Sequence, residues 1–110
     1  MGIDLAVHPN RYYDHPRLSD GYNRLAFWRD SELFEQIQKL PSSLLEAERG
    51  FVYYDDEGLD DSKTDGYGQP LRYVEAGQFA NINSDNTWNE AVLTFLRSLP
   101  PEMPIILYWY

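Results

Sequence analysis

The sequence predicts a small α+β domain, on three observations. The chain has 110 residues, 43% of them apolar and 15% aromatic, which is enough for one modest hydrophobic core. Two segments carry apolar residues at helical spacing, and several shorter segments have the alternation or the continuous apolar run of strands. We therefore predict a single domain over residues 1–110, with a three- to four-stranded sheet and two main helices packed on one of its faces.

The predicted strands lie at both ends of the chain and in its middle. Residues 3–8 alternate between apolar and polar or small side chains, the pattern of a half-buried strand. The β-branched and aromatic runs at residues 51–54 and 71–74 favour two more strands, and residues 24–28 form either a short strand or the approach to a helix. Residues 104–110, PIILYWY, carry no charge, which predicts a buried and central strand.

The first main helix is predicted at residues 31–39. Asp30 or Ser31 can cap its N-terminus, and Pro41 closes it. One face carries apolar residues at helical spacing, namely Leu33, Phe34, Ile37 and Leu40. A shorter helix is predicted over residues 42–50, which begin with two serines and end at a glycine.

The second main helix is predicted at residues 87–99. Thr87 and Glu90 have the spacing of a capping box, and Pro100 ends the helix. Its predicted apolar face consists of Trp88, Val92, Phe95, Leu96 and Leu99. The segment QPLRYVEAGQFANI before it is ambiguous: residues 71–74 suit a strand, and a helical turn is one interpretation of residues 75–82.

The charge balance limits the classes of partner. Eighteen acidic residues against nine basic ones give a net charge of −9, and residues 51–110 hold ten of the acids and only three of the bases. A field of this sign repels nucleic acid and anionic membranes and steers the protein toward cationic partners. Solubility alone is the other reason for such acidity, and the composition does not separate the two.

The acidic excess is concentrated in residues 52–68, VYYDDEGLDDSKTDGYG, which carry six carboxylates and one lysine. An EF-hand loop starting at Asp61 is excluded, because Lys63 and Arg72 would occupy two of its ligand positions. Three interpretations stay open: a solvated loop, a looser Mg²⁺ or Ca²⁺ site built from Asp55, Glu57 and Asp60, and a docking surface for a basic partner.

The docking interpretation is the one we carry forward. Alternate side chains of an extended segment lie about 6.6 Å apart on one face, so a row of carboxylates can imitate the phosphates of a nucleic-acid strand. Tyrosines beside a charged rim are typical of protein-binding surfaces. The predicted partner-binding residues are Tyr53, Tyr54, Asp55, Asp56, Glu57, Asp60, Asp61 and Asp65.

Residues 11–29 interleave four arginines with Tyr12, Tyr13, Tyr22, Phe27 and Trp28, a pattern found in single-strand nucleic-acid binding. Because the overall field opposes nucleic acid, we expect no direct binding of it. We expect instead that these arginines pair with the protein's own carboxylates and that the aromatics fill the core or an interface.

The chain has three tryptophans and nine tyrosines, more aromatic side chains than one small core requires. We expect some of them to face a partner or a second copy of the chain in a homodimer. The candidates are Tyr12, Tyr13, Tyr53, Tyr54, Tyr67, Trp109 and Tyr110.

Candidate catalytic groups are few. Asp4 and His8 share the polar face of the first predicted strand and could bind a divalent metal or transfer protons. The sequence has no cysteine, no Gly-x-Ser-x-Gly, no glycine-rich phosphate loop and no His-Glu-x-x-His. We therefore expect no enzymatic activity and no cofactor. A small metal-dependent enzyme that uses Asp4, His8 and carboxylates of the acidic segment 52–68 stays the alternative.

The sequence also predicts a cytoplasmic protein. No window approaches 18 consecutive apolar residues, so no membrane span is expected. The opening MGIDLAVHPN lacks the basic region and long apolar run of a secretory signal.

Four blocks of the sequence together resemble small uncharacterised proteins of phages and bacteria. They are MGID, FWRDSELFEQI, YGQPLRYVEAGQF and WNEAVLTFLRSLPPEMPIILYWY. The proteins of this group begin Met-Gly-(Ile/Leu)-Asp and carry a Gly-x-Pro-Leu-x-Tyr-x-x-Ala-Gly segment. The resemblance implies a phage or prophage context and assigns no activity. A phage-encoded protein of this kind is expected in the cytoplasm of the host cell. Small acidic phage proteins include inhibitors of host defence, among them anti-CRISPR proteins and DNA mimics.

Charge and resemblance together predict a small acidic inhibitor that binds a basic, nucleic-acid-binding surface of a host-defence protein, such as a nuclease complex. A toxin-immunity protein, which has the same acidic character and a different partner, is the other binding function that we keep open.

Overall fold

A computed structural model describes residues 3–10, 24–45, 51–55, 58–62 and 64–110 of the chain, with the backbone alone described between 51 and 62. Seven strands and two α-helices follow one another in these ranges. The strands are β1 Leu5–Pro9, β2 Leu25–Ala26, β3 Ser43–Leu44, β4 Phe51–Asp55, β5 Gly58–Ser62, β6 Arg72–Glu75 and β7 Pro104–Trp109. The helices are α1 Ser31–Gln38 and α2 Thr87–Arg97, with a 3₁₀ helix at Ala76–Asn81.

The strands form a five-stranded antiparallel sheet and a separate two-stranded one. The order of the large sheet is β2-β1-β7-β6-β3, so β7 is central, as its uncharged apolar run predicts. Three to four strands was an underestimate for this sheet. The outer strands β2 and β3 have two residues each, too few to leave an alternation in the sequence.

Both main helices are confirmed, and both lie on one face of the large sheet. Apolar side chains of α1, α2 and the 3₁₀ helix share one buried cluster with alternate residues of β1 and β7, among them Val7, Ile105 and Leu107. This cluster is the main core, and it gives the α+β arrangement that the sequence predicts.

The opposite face of the sheet is buried at β1 and only partly buried elsewhere, which corrects the half-buried prediction for β1. All five residues of β1 are buried, including Ala6 and His8 at the positions expected to face solvent. Ile106 of β7 and Leu71 form a second, smaller apolar cluster. A small alanine and a histidine look like solvent-facing positions in a sequence, although both are tolerated in a buried strand.

The N-terminal cap of α1 is a residue that the sequence predicts, whereas the cap of α2 is one residue earlier than predicted. Asp30 caps α1, and its side chain accepts a hydrogen bond from the Leu33 N–H at 3.1 Å. At α2 the cap is Asn86 rather than Thr87, with the Asn86 side chain accepting from the Asn89 N–H at 3.0 Å. Asn and Thr both satisfy the first free N–H groups of a helix, so the sequence fixes this boundary only to within a residue.

The shorter helix predicted over residues 42–50 is wrong where the structure describes it. Ser43 and Leu44 form β3, paired with Tyr73 and Arg72 of β6, and the Leu45 N–H donates to the Leu71 carbonyl. Pairing with a neighbouring strand overrides local helix propensity here. Residues 46–50 lie outside the described residues.

The buried face of α2 is rotated from the predicted one. Asn89, Val92, Leu93 and Leu96 are buried, whereas Trp88 and Phe95 are exposed. The cause is a pair of hydrogen bonds between the Asn89 side chain and the backbone of Trp28, which keep Asn89 buried. The adjacent Trp88 consequently faces outward.

No helix in the described ranges is long and apolar enough to cross a membrane; the longest, α2, has 11 residues.

Candidate functional site

Most of the predicted docking residues lie in or beside the hairpin formed by β4 and β5, which we call the acidic hairpin. Its antiparallel register places Tyr53 opposite Asp60, Tyr54 opposite Leu59 and Val52 opposite Asp61. Asp55 ends β4 opposite Gly58, which begins β5. The sequence predicted β4 but not β5, because a strand with two adjacent aspartates has low β propensity.

The hairpin brings acidic and tyrosine positions together as cross-strand neighbours. Opposed residues of an antiparallel pair are the closest neighbours in a sheet, so Tyr53 and Asp60, seven residues apart in sequence, belong to one small region. Asp56 and Glu57, which complete the acidic run, lie outside the described residues.

Asp65, the last predicted docking residue, lies in the turn that follows the hairpin. Its Oδ1 accepts hydrogen bonds from the N–H groups of Tyr67 (2.9 Å) and Gln69 (3.0 Å). Gly68 has a φ of +77°, which favours glycine there. The role of Asp65 in the fold is therefore to order this turn.

The turn is anchored to the end of the central strand. The Gly66 N–H donates to the Trp109 carbonyl at 2.8 Å, and a Cβ at position 66 would lie 2.9 Å from the Tyr110 Cβ. Only glycine permits so close an approach without a shift of the neighbouring chain. The segment that leaves the acidic hairpin is thus fixed against β7.

Two of the aromatic side chains predicted to face a partner are exposed beside this turn, namely Tyr67 and Tyr110. Trp109, another of these candidates, is partly exposed and packs its ring edge-on against Phe34 of α1, with centroids 5.7 Å apart. Tyr12 and Tyr13 lie outside the described residues, and the side chains of Tyr53 and Tyr54 are not described.

Three further aromatic side chains are exposed: Trp28, Trp88 and Phe95. Trp88 is nevertheless held, since its indole N–H donates to the Ala26 carbonyl of the edge strand β2 at 2.8 Å. Helical spacing alone had assigned Trp88 and Phe95 to the core.

Asp4, one of the two candidate metal ligands of the first strand, is paired with an arginine. Two hydrogen bonds from the Arg29 guanidinium, at 3.2 and 2.7 Å, engage both oxygens of Asp4 and hold the pKa of that carboxyl below its usual range. His8 is buried within β1. Among the residues whose side chains are described, no group of three or more His, Asp or Glu residues could hold a metal ion.

The ion pair between Arg29 and Asp4 also tests the prediction for the arginine-rich segment 11–29. Arg29 pairs with the protein's own Asp4, as expected, and Phe27 lies in the core. Arg24 stacks over the rings of Tyr108 and Tyr110, 5.8 and 5.1 Å from their centroids. Residues 11–23, which hold the other two arginines of the segment, are outside the described residues.

A cavity of about 350 Å³, which the sequence did not predict, opens between the end of α1, strands β6 and β7, and the turn after the hairpin. Ile37, Leu40, Pro70, Leu107 and Trp109 provide its apolar lining, and Gln38, Ser42, Asp65, Gln69 and Arg72 its polar lining. The sequence did not predict this cavity, because its lining residues are far apart in the chain and a single arginine, Arg72, does not indicate a site.

Comparison of the chain with models of protein families, with curated proteins and with solved structures found no match.

Proposed function

We propose that this protein is a non-enzymatic inhibitor of the small acidic phage type. Its acidic hairpin and the neighbouring tyrosines would occupy a basic, nucleic-acid-binding surface of a host-defence protein. Occupation of that surface would exclude nucleic acid from it.

The observation that carries the proposal is the hairpin itself. Within the residues described, Asp55, Asp60 and Asp61 belong to a paired antiparallel ribbon that forms its own sheet. A paired backbone holds its residues at fixed spacing, so binding through it would cost less conformational entropy than binding through an unpaired loop.

The distribution of the described basic residues supports the proposal. Arg29, Lys39 and Arg97 form ion pairs with Asp4, Glu35 and Glu90, all of them outside the hairpin. These three cations are therefore engaged elsewhere, and the net charge of −9 keeps the field around the protein negative.

The test is affinity capture from a bacterial lysate with three proteins as bait: the wild type, a hairpin variant and a control variant. The hairpin variant carries Asp55→Asn, Asp60→Asn and Asp61→Asn. The control carries Glu32→Gln, Asp85→Asn and Glu102→Gln, which remove the same charge at exposed positions outside the hairpin. We expect the wild type and the control to capture the same nucleic-acid-binding protein. The amount captured by the hairpin variant should be lower by at least about tenfold.

Addition of a DNA or RNA oligonucleotide completes this test. If the hairpin occupies a nucleic-acid-binding groove, the oligonucleotide releases the captured protein by competition. Equal capture by the hairpin variant, or a complex that the oligonucleotide does not displace, would contradict the proposal.

A further inference from the structure

We propose that the cavity between α1, β6, β7 and the turn after the hairpin binds a small zwitterion with an apolar group, that is, a free α-amino acid with an apolar or aromatic side chain. This site lies outside the acidic hairpin, although it includes Asp65, the last of the predicted docking residues. It does not depend on the function proposed above.

Arg72 provides the positive side of the site. Its guanidinium is held by Ser42, with Nε donating to the hydroxyl at 2.7 Å and one terminal nitrogen donating to the carbonyl at 2.9 Å. Both acceptors are uncharged, so the positive charge is oriented but not neutralised. The remaining N–H groups of the fork are geometrically suited to a carboxylate.

Arg72 differs in this respect from the other basic residues whose side chains are described. Arg29, Lys39 and Arg97 pair with carboxylates, and Arg24 stacks on tyrosine rings. Among the arginines and lysines of that part of the chain, only Arg72 forms neither an ion pair with a carboxylate nor a cation–π stack. Arg72 is exposed, so its guanidinium, held by a serine and without a counter-charge, is accessible to an anionic ligand group.

Asp65 provides the negative side of the same cavity. Its Oδ1 accepts two backbone N–H groups, those of Tyr67 and Gln69, which fix the orientation of the carboxylate. The second oxygen, Oδ2, accepts no hydrogen bond from the described residues. Asp65 forms no salt bridge with Arg72, so the cavity presents two separate charges of opposite sign.

The floor of the cavity is apolar and fixed. Leu107 and Ile37 belong to the buried core, and Trp109 is held by its ring contact with Phe34. The volume of about 350 Å³ is near the lower end of the range for ligand sites, about 300–1,000 Å³, which suits a small molecule.

The two charges select the ligand class. A simple carboxylic acid would be attracted by Arg72 but repelled by Asp65. A simple amine would be attracted by Asp65 but repelled by Arg72. An α-amino acid offers a carboxylate to Arg72 and an ammonium group to Asp65, while its side chain covers Leu107 and Trp109. Apolar burial and two charge-assisted hydrogen bonds would then act together.

The experiment uses L-phenylalanine as the probe, titrated into the ¹⁵N-labelled full chain and followed by amide chemical shifts. We expect shifts centred on Gln69, Arg72 and Leu107. Two analogues separate the charges: N-acetyl-L-phenylalanine lacks the ammonium group and L-phenylalaninamide lacks the carboxylate. Each is expected to bind at least about tenfold more weakly, the effect of losing one charged hydrogen bond.

Two variants then assign each charge to its residue. Asp65→Asn keeps an oxygen for the Tyr67 and Gln69 N–H groups but removes the negative charge, so it should remove the preference for L-phenylalanine over its N-acetyl analogue. Arg72→Gln should remove the preference for L-phenylalanine over the amide. The control, Arg24→Gln, removes the same charge outside the cavity and should leave all three affinities unchanged.

Three results would overturn the proposal: no binding of L-phenylalanine, equal binding of the three ligands to the wild type, or preferences that survive both variants. The analogue series is measured on the wild type alone, so the proposal stays testable even if a variant fails to fold.

Discussion

Asn89, a single buried polar residue, joins the N-terminal turn of α2 to the segment that precedes α1. Its Oδ1 accepts from the Trp28 N–H at 2.6 Å, and its Nδ2 donates to the Trp28 carbonyl at 2.8 Å. The side-chain amide thus satisfies both backbone groups of one residue, as a neighbouring strand would do. A residue that is fully buried and makes both bonds sets the position of the helix.

We predict that Asn89→Ala destabilises the protein by about 1–3 kcal/mol, because two partly buried backbone groups of Trp28 lose their partner. Urea unfolding followed by circular dichroism measures the change. Asn83→Ala serves as the control: Asn83 is exposed, and its long side-chain contact to the Asn81 carbonyl, 3.4 Å, should contribute less than about 0.5 kcal/mol. Equal losses in the two variants would show that the Asn89 bonds do not stabilise the fold.

The burial of Asn89 could not be predicted from the sequence. A polar residue in an amphipathic helix is assigned to the solvent face, and the adjacent Trp88 to the core. The structure reverses both, because the partner of Asn89 lies 61 residues away along the chain. Long-range hydrogen bonds leave no periodic pattern.

At the scale of elements, α1 is bound to the loop before α2 through its cap. Asp30 accepts from the Leu33 N–H and, through its other oxygen, from the Ser84 hydroxyl at 2.7 Å. Partial burial acts to raise the pKa of Asp30, but these hydrogen bonds outweigh it and hold the pKa below its usual value. The charged form of Asp30 therefore stabilises the folded state.

The sign of the pH effect follows from this lowered pKa. The unfolded chain binds the proton more tightly, so the contribution of Asp30 is complete above its unfolded pKa of about 3.9 and is lost as the pH falls through the lower folded value. Asp30→Asn keeps a side chain that can cap the helix but removes the charge. We predict that it costs about 0.3–1 kcal/mol at neutral pH and almost nothing once the wild-type carboxyl is protonated.

Unfolding free energies of the wild type and Asp30→Asn, measured from neutral pH down to about pH 2.5, test this linkage. The difference between the two proteins should shrink with falling pH. A difference that stays constant over the whole range would mean that the Asp30 charge contributes nothing. Glu32→Gln, at an exposed position in the first turn of the same helix, is the matched control for loss of an acidic charge.

How well an element could be predicted depended on its length. The helices Ser31–Gln38 and Thr87–Arg97 and the central strand Pro104–Trp109 are long enough for a repeated pattern, and all three were predicted. The two-residue strands β2 and β3 exist only through their pairing with β1 and β6, and β5 through its pairing with β4. Pairing between distant segments is a property of the fold and not of the local sequence.

At the scale of the whole molecule, the fold consists of a five-stranded sheet with helices on one face and a separate acidic hairpin. The turn that follows the hairpin is hydrogen-bonded to the central strand of the sheet. The sequence located the acidic segment by charge alone, and the structure adds its hairpin register and the turn anchored on Trp109. The cavity beside that turn was beyond sequence reasoning, because Ile37, Arg72 and Trp109 meet only in the folded chain.

The central claim is that the acidic hairpin binds a basic surface through its charge. The most direct test is the affinity of the captured partner for the wild type, measured by titration calorimetry from about 0.1 M to about 1 M salt, over which the screening length falls from about 10 Å to about 3 Å. We predict that affinity falls steadily with salt, and that the fall is shallower for the variant carrying Asp55→Asn, Asp60→Asn and Asp61→Asn. An affinity that stays constant over this range, or the same salt dependence for the wild type and the variant, would contradict the claim.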